Sequence, residues 1–131
     1  MRRFIFIFTV IVLAACLAAC GKAGPSGPTG EVIDAWKKAG LDASGFGSSD
    51  SKGIGGGTCS SGKVSGIETT ICEFGDADAA KKAEAAGLTQ VGDATGAAIA
   101  QGKLLLVVAD RTKADPTGKT IKQLAAAFRN R

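Results

Sequence analysis

Few residue types are available for chemistry in this 131-residue chain. It contains no His and no Tyr, and its one Met is Met1. A histidine base, a histidine metal ligand and a tyrosine acid are therefore excluded, and most familiar hydrolytic machinery goes with them. Four cysteines remain, Cys16, Cys20, Cys59 and Cys72. Cys59 and Cys72 are too far apart for a CxxC redox motif, so a structural bridge is favoured over an exchange-active one. Two cysteines without histidine cannot complete a four-ligand zinc site, which leaves a pair of free buried thiols as the rival to the bridge.

Two stretches mimic a phosphate-binding loop. Gly57 to Lys63 reads GTCSSGK, but Val64 stands where a magnesium-binding hydroxyl belongs, and no helix is expected to follow. Gly118-Lys119-Thr120 does open a helix, yet Lys113 occupies the position of its upstream glycine. Both read as turn and cap chemistry. The carboxylates Asp76, Asp78 and Glu84, or Asp110 and Asp115, match no calcium loop, because an alternating Asp/Asn run closed by Glu is missing. Helix capping and solubility account for them. Trp36 lies on an apolar helical face, so core packing is favoured over ligand stacking. The expectation is no catalytic residue, no metal ligand and no cofactor.

The N-terminus carries a stronger signal. Arg2 and Arg3 precede a run from Phe4 to Ala19 without a charged side chain, the plan of an export signal. That run is shorter than the roughly 20 apolar residues of a membrane span. It ends in Leu17-Ala18-Ala19-Cys20-Gly21, which resembles the lipobox of bacterial lipoproteins. Leu13-Ala14-Ala15-Cys16 fits the same pattern, but processing there would leave Leu17-Ala18-Ala19 as a new apolar start, whereas Cys20 leads at once into polar sequence. The resemblance implies a signal peptide over 1–19, lipidation of Cys20 with palmitate among the acyl chains, and attachment to a membrane through that lipid. Several acyl chains together hold a protein far more firmly than one. No aspartate follows Cys20, so the family rule implies the outer membrane, facing the periplasm, in a bacterium with two membranes.

Loss of Arg2 and Arg3 with the signal would take the formal net charge from +4 to +2, too near neutrality for a nucleic-acid footprint. Export would also place Cys59 and Cys72 where disulfides persist. Residues 20–30, rich in Gly and Pro, read as a flexible tether, and residues 31–131 as one small domain.

Within that domain, Val32, Ile33, Ala35, Trp36 and Ala39 fall on one helical face, closed by Gly40 and Leu41. Residues 42–57, Gly/Ser-rich with only Phe46 and Ile54 as large apolar residues, read as a long mobile loop. Ser65-Gly66 is a two-residue hairpin turn, and it sets Cys59 directly opposite Cys72 at a non-hydrogen-bonded pair, where backbones approach within about 4.5 Å. The same register puts Lys63 against Glu68 and Ser61 against Thr70 on the cysteine face, with Val64, Ile67 and Ile71 on the core face. The bridge is therefore expected on the more solvated side.

Asp76 caps an Ala-rich helix expected to end at Gly87-Leu88, as the first ended at Gly40-Leu41. A second hairpin pairs 94–100 with 103–109 around Gln101-Gly102. In a last helix Asp115 caps, Pro116 takes the first turn, and Ile121, Leu124, Ala125 and Phe128 form one stripe. Leu104 to Val108 is apolar on both faces, as in a covered central strand.

The fold expected is α+β in the order α-β-β-α-β-β-α: a four-stranded antiparallel sheet from two hairpins, packed by the first and last helices, with a pseudo-repeat of helix-strand-strand. The expected function is a non-catalytic envelope lipoprotein that binds a protein or another envelope component. An inhibitor or scaffold of an envelope enzyme is the alternative, since the tandem plan resembles that of some secreted inhibitors and of BON-type domains in topology alone. An enzyme of unknown type ranks last.

Overall fold

The computed structural model describes residues 24–131; the expected signal peptide, Cys16 and Cys20 lie outside the described residues. Three helices, α1 (Gly27–Lys38), α2 (Ala77–Val91) and α3 (Lys119–Arg129), accompany five strands, β1 (Ala43–Ser49), β2 (Thr58–Val64), β3 (Ile67–Glu73), β4 (Thr95–Gln101) and β5 (Leu104–Asp110). The strands form one sheet in the order β1-β2-β3-β5-β4, antiparallel throughout. The α+β class is as expected, but the sheet has five strands rather than four.

Helix α1 begins at Gly27, four residues inside the stretch read as tether, with Pro28 in its first turn and Thr29 buried. The fixed backbone of Pro28 suits that position, where the missing N–H would have no helical partner anyway. Its C-terminus closes as the residues dictate: the Gly40 amide donates to the Lys37 carbonyl and the Leu41 amide to the Trp36 carbonyl, both at 3.0 Å. Leu41 folds back into the core, as a Schellman motif requires.

Residues 42–57 are not a mobile loop. They supply β1, which pairs with β2, and a 3₁₀ turn over Lys52–Ile54 that buries Ile54. The sequence ASGFGSS lacks apolar alternation, so its pairing relies on the backbone alone. A bulge between Ser44 and Gly47 leaves Phe46 packed on the first core, 6.0 Å from the Trp36 ring between centroids. Re-aiming one side chain is what a bulge does in an edge strand.

The β2–β3 hairpin has the expected register, with Val64 opposite Ile67, Lys63 opposite Glu68, Ser61 opposite Thr70 and Cys59 opposite Cys72. Both turn residues take positive φ, Ser65 at 49° and Gly66 at 84°, the requirement of a type I′ turn. In the second hairpin the turn is Gly102-Lys103, one residue later than expected, because Gln101 pairs with Leu104. Moving the turn by one residue changes each facing partner by two. Every side chain therefore keeps its expected face.

Two cores flank the sheet. On one face α1 and α3 bring Val32, Trp36, Leu124 and Phe128 onto Val64, Ile67, Ile71, Leu106 and Val108. On the other, α2 lays Ala80 and Ala83 over Leu105, Val107, Ala109 and the two cysteines. Strand β5 is buried at every position, which is why its sequence is apolar on both faces.

The placement of α2 overturns the pseudo-repeat, because this helix packs on the opposite face from α1. It also runs through Gly87 to Val91 instead of ending there. A Cβ at Gly87 would come within 2.9 Å of both Ala98 Cβ and Val107 Cγ2, so this glycine serves close helix–sheet approach rather than termination. Leu88, expected to fold back like Leu41, is 54% exposed. The topological likeness to tandem inhibitor or BON-type units falls with the repeat.

Candidate functional site

The hairpin's alternation carries Cys59, Ser61 and Lys63 of β2, with Glu68, Thr70 and Cys72 of β3, onto one face. The two cysteines form a disulfide with their Cα atoms 4.0 Å apart. Contrary to expectation the bridge is not on the solvated side: Cys59 is 3% and Cys72 0% exposed. The face is mixed along its length. Its cysteine end lies beside Leu105 beneath α2, Ile54 and Phe74, while its turn end is polar and open.

At that open end the Ser61 and Thr70 hydroxyls share a hydrogen bond of 2.7 Å. Glu68 faces Lys63 in register, but its ion pair is with Arg111, at 3.3 Å. Arg111 also donates to the Gln90 carbonyl at 2.7 Å, so this pair ties β3 to the end of α2. A shallow hollow lined by Ser44, Gly45, Ser61, Gly62, Lys63 and Glu68 lies at this open end. The two hydroxyls there are engaged with each other, so the arrangement offers hydrogen bonds and charge.

The carboxylates divide by task. Asp76 accepts the Ala79 amide at 2.7 Å and caps α2; Asp78 follows, exposed, in the first turn. Glu84 reaches across to the edge strand β4, accepting the Ala100 amide at 2.8 Å, and pairs with Lys81 at 2.6 Å. The Lys81 hydrogen bond and then the Ala100 amide hold its carboxyl below the ordinary value, against a smaller opposing effect of burial. No periodicity in the sequence announces this contact.

Asp110 and Asp115 form a relay. Asp110 accepts the amides of Ala114 and Asp115, each at 2.8 Å, and Asp115 in turn accepts the Ile121 amide at 2.9 Å. Helix α3 therefore starts at Lys119, later than expected, with Pro116 and Thr117 in a turn between the carboxylate and the helix it serves. Burial pushes the Asp115 carboxyl up. The Ile121 and Thr120 amides, the Thr117 hydroxyl and the Lys119 amide outweigh that and hold it below its ordinary value.

A folded-state value below the unfolded one means the interaction stabilises at pH above the ordinary aspartate pKa of about 3.9 and fades as pH falls through the lowered value. Asp115→Asn is accordingly expected to be less stable than the wild type at neutral pH, with the gap closing below about pH 4. Melting temperatures of both proteins across pH measure this directly, since other carboxylates cancel in the difference. A gap that stays constant with pH would assign Asp115 a packing role only.

Both phosphate-loop mimics fail on geometry. Gly57 to Lys63 runs almost wholly within strand β2, and the start of α3 at Gly118-Lys119-Thr120 already holds the Asp115 carboxylate on its amides, where a phosphate would meet like charge. Trp36 is fully buried, its indole N–H donating to the Leu124 carbonyl at 3.0 Å, a core residue as expected. Among the described residues no group of three His, Cys, Asp or Glu side chains is placed to hold a metal ion, and no helix there is long and apolar enough to cross a membrane. No family model, curated protein or solved structure matches the chain.

Proposed function

We propose that this chain is a lipid-anchored lipoprotein of the bacterial cell envelope, and that its domain is a non-catalytic module binding an envelope protein or another envelope component. The observation that carries the reading is the Cys59–Cys72 bridge inside the core. A disulfide that the fold is built around needs an oxidising compartment, in agreement with an export signal over 1–19 and with Cys20 at the end of Leu17-Ala18-Ala19-Cys20. Binding is supported by the asymmetry of the sheet's two edges. Glu84 braces β4, whereas the outer edge of β1 pairs with no other strand among the described residues, and an unpaired edge is a template for an added strand.

Cys20→Ser is expected to abolish palmitate labelling and leave the precursor uncleaved by lipoprotein signal peptidase, as read by gel mobility and detergent partitioning in the native cells. Cys16→Ser should be processed normally. The opposite pattern would move the anchor to Cys16, and a wild type that takes up no palmitate would remove it.

A further inference from the structure

We infer that the α1/α3 layer docks on an anionic phospholipid surface with the cations of α3 facing the headgroups; this rests on the lipid anchor proposed at Cys20. From Pro116 to Arg131 the sequence has no Asp or Glu, while Lys119, Lys122, Arg129 and Arg131 are all exposed, Arg131 with its guanidinium over the Phe128 ring and donating to the Phe128 carbonyl. Helix α1 beside it adds Lys37 and Lys38, so this layer holds six cations against the two carboxylates Glu31 and Asp34. Across the sheet, α2 and its cap carry three carboxylates, Asp76, Asp78 and Glu84, against Lys81 and Lys82. A nearly neutral domain is thus polarised through its thickness.

Helix stability accounts for Lys37, Lys38 and Arg129, which stand in last turns where positive charge suits the helix dipole, but not for Lys119 and Lys122. Lys119 and Lys122 stand in the first turns of α3, which has no acidic residue there, and positive charge at that end opposes the helix dipole. The described chain starts on the same side. Gly24, Pro25 and Ser26 border a hollow with Phe46, Ser48 and Ser60, and Ser48 and Ser60 lie in register with Ile71 on the face that α1 and α3 cover. Between Cys20 and Gly24 the chain can span at most about 14 Å. The C-terminus of α3 flanks α1 from its middle to its end, since Glu31, Ala35 and Lys38 share a groove with Ala127, Asn130 and Arg131. Lipid attachment therefore keeps this side of the domain near the membrane, and the charge of the cationic layer adds to the anchor once the two approach within about a Debye length. Each basic residue near an anionic surface strengthens association by about fivefold.

The test uses the lipidated protein in vesicles of phosphatidylcholine, with or without phosphatidylglycerol, containing a trace of dansyl-headgroup lipid. Trp36, the chain's single tryptophan, sits in α1 and serves as energy-transfer donor. Transfer is expected to rise with phosphatidylglycerol and to fall back at high salt. In Lys122→Gln/Arg129→Gln the docked-to-undocked ratio should drop about 25-fold, fivefold for each cation removed. Lys52→Gln/Lys82→Gln, with the same charge change on exposed residues elsewhere, should behave as wild type. Equal transfer on both vesicles, or equal loss in both double variants, would overturn the docking. Flotation separates this from the anchor: a protein without its lipid fails to float with pure phosphatidylcholine, yet must still float with phosphatidylglycerol vesicles if the cationic layer docks.

Discussion

Ile121→Asp is expected to unfold the domain or lower its stability by about 4 kcal/mol or more, because a carboxylate would be forced into an apolar core without a partner. Ile121 lies in the core between α1, α3 and the sheet and is almost wholly buried. Its amide already donates to the Asp115 carboxylate, so the new carboxylate would also stand near a like charge. At roughly 4 °C or more per kcal/mol for a domain of this size, the melting temperature should fall by about 15 °C or more. Lys119→Ala, two residues away and fully outside the core, should shift stability by no more than about 0.5 kcal/mol. Thermal melts by circular dichroism compare the two. A melting temperature near wild type for Ile121→Asp, or a larger loss for Lys119→Ala, would mean that the apolar stripe of α3 does not face the sheet.

The stripe of α3, the closure of α1 at Gly40-Leu41 and the register of β2 on β3 were legible because each depends on local chemistry. They rest on a 3.6-residue spacing, a helix-terminating pair and a two-residue turn that fixes every partner by counting. The missing strand β1 was illegible for the converse reason. Ala43 to Ser49 has one large side chain and no alternation, and only the neighbouring backbone of β2 makes it a strand. Gly87 misled for a similar reason, since the same Ala-Gly-Leu string ends α1 but in α2 lets the helix touch Ala98 and Val107. Whether such a glycine stops a helix or seats it depends on what lies beneath, which neighbouring residues in the chain do not encode.

The carboxylates show where that boundary falls. Asp76 as a cap follows from its position three residues before the amide it accepts. Glu84 bracing Ala100 spans 16 residues, and Asp115 serving Ile121 spans 6, neither at a spacing that a capping motif prescribes. The burial of the cysteine face falls in the same gap. Lys63, Glu68, Ser61 and Thr70 are polar, but that polarity does not extend to Cys59 and Cys72, because one end of a strand can be covered while the other stays open.

That burial sharpens the expected behaviour of the bridge. The mature protein should show no free thiol under denaturing, non-reducing conditions, because Cys59 and Cys72 are joined. Closing a loop of about 14 residues is worth roughly 3 kcal/mol in the unfolded chain, a large part of the 5–15 kcal/mol that holds a typical domain together. Protein reduced while unfolded and then refolded under reductant, with both thiols free, should therefore melt roughly 12–20 °C lower than the oxidised form. Because Cys59 and Cys72 are buried in one cluster with Ile54, Phe74, Ala80 and Ala83, a reductant reaches the sulfur atoms only when the domain opens. Reduction of the folded protein should accordingly be slow, and it should accelerate in step with added urea. Two titratable thiols in the untreated protein would remove the bridge. Fast reduction without urea would leave the bridge in place but return it to the solvated face, and with it the packing of α2 against this end of the sheet would have to be redrawn.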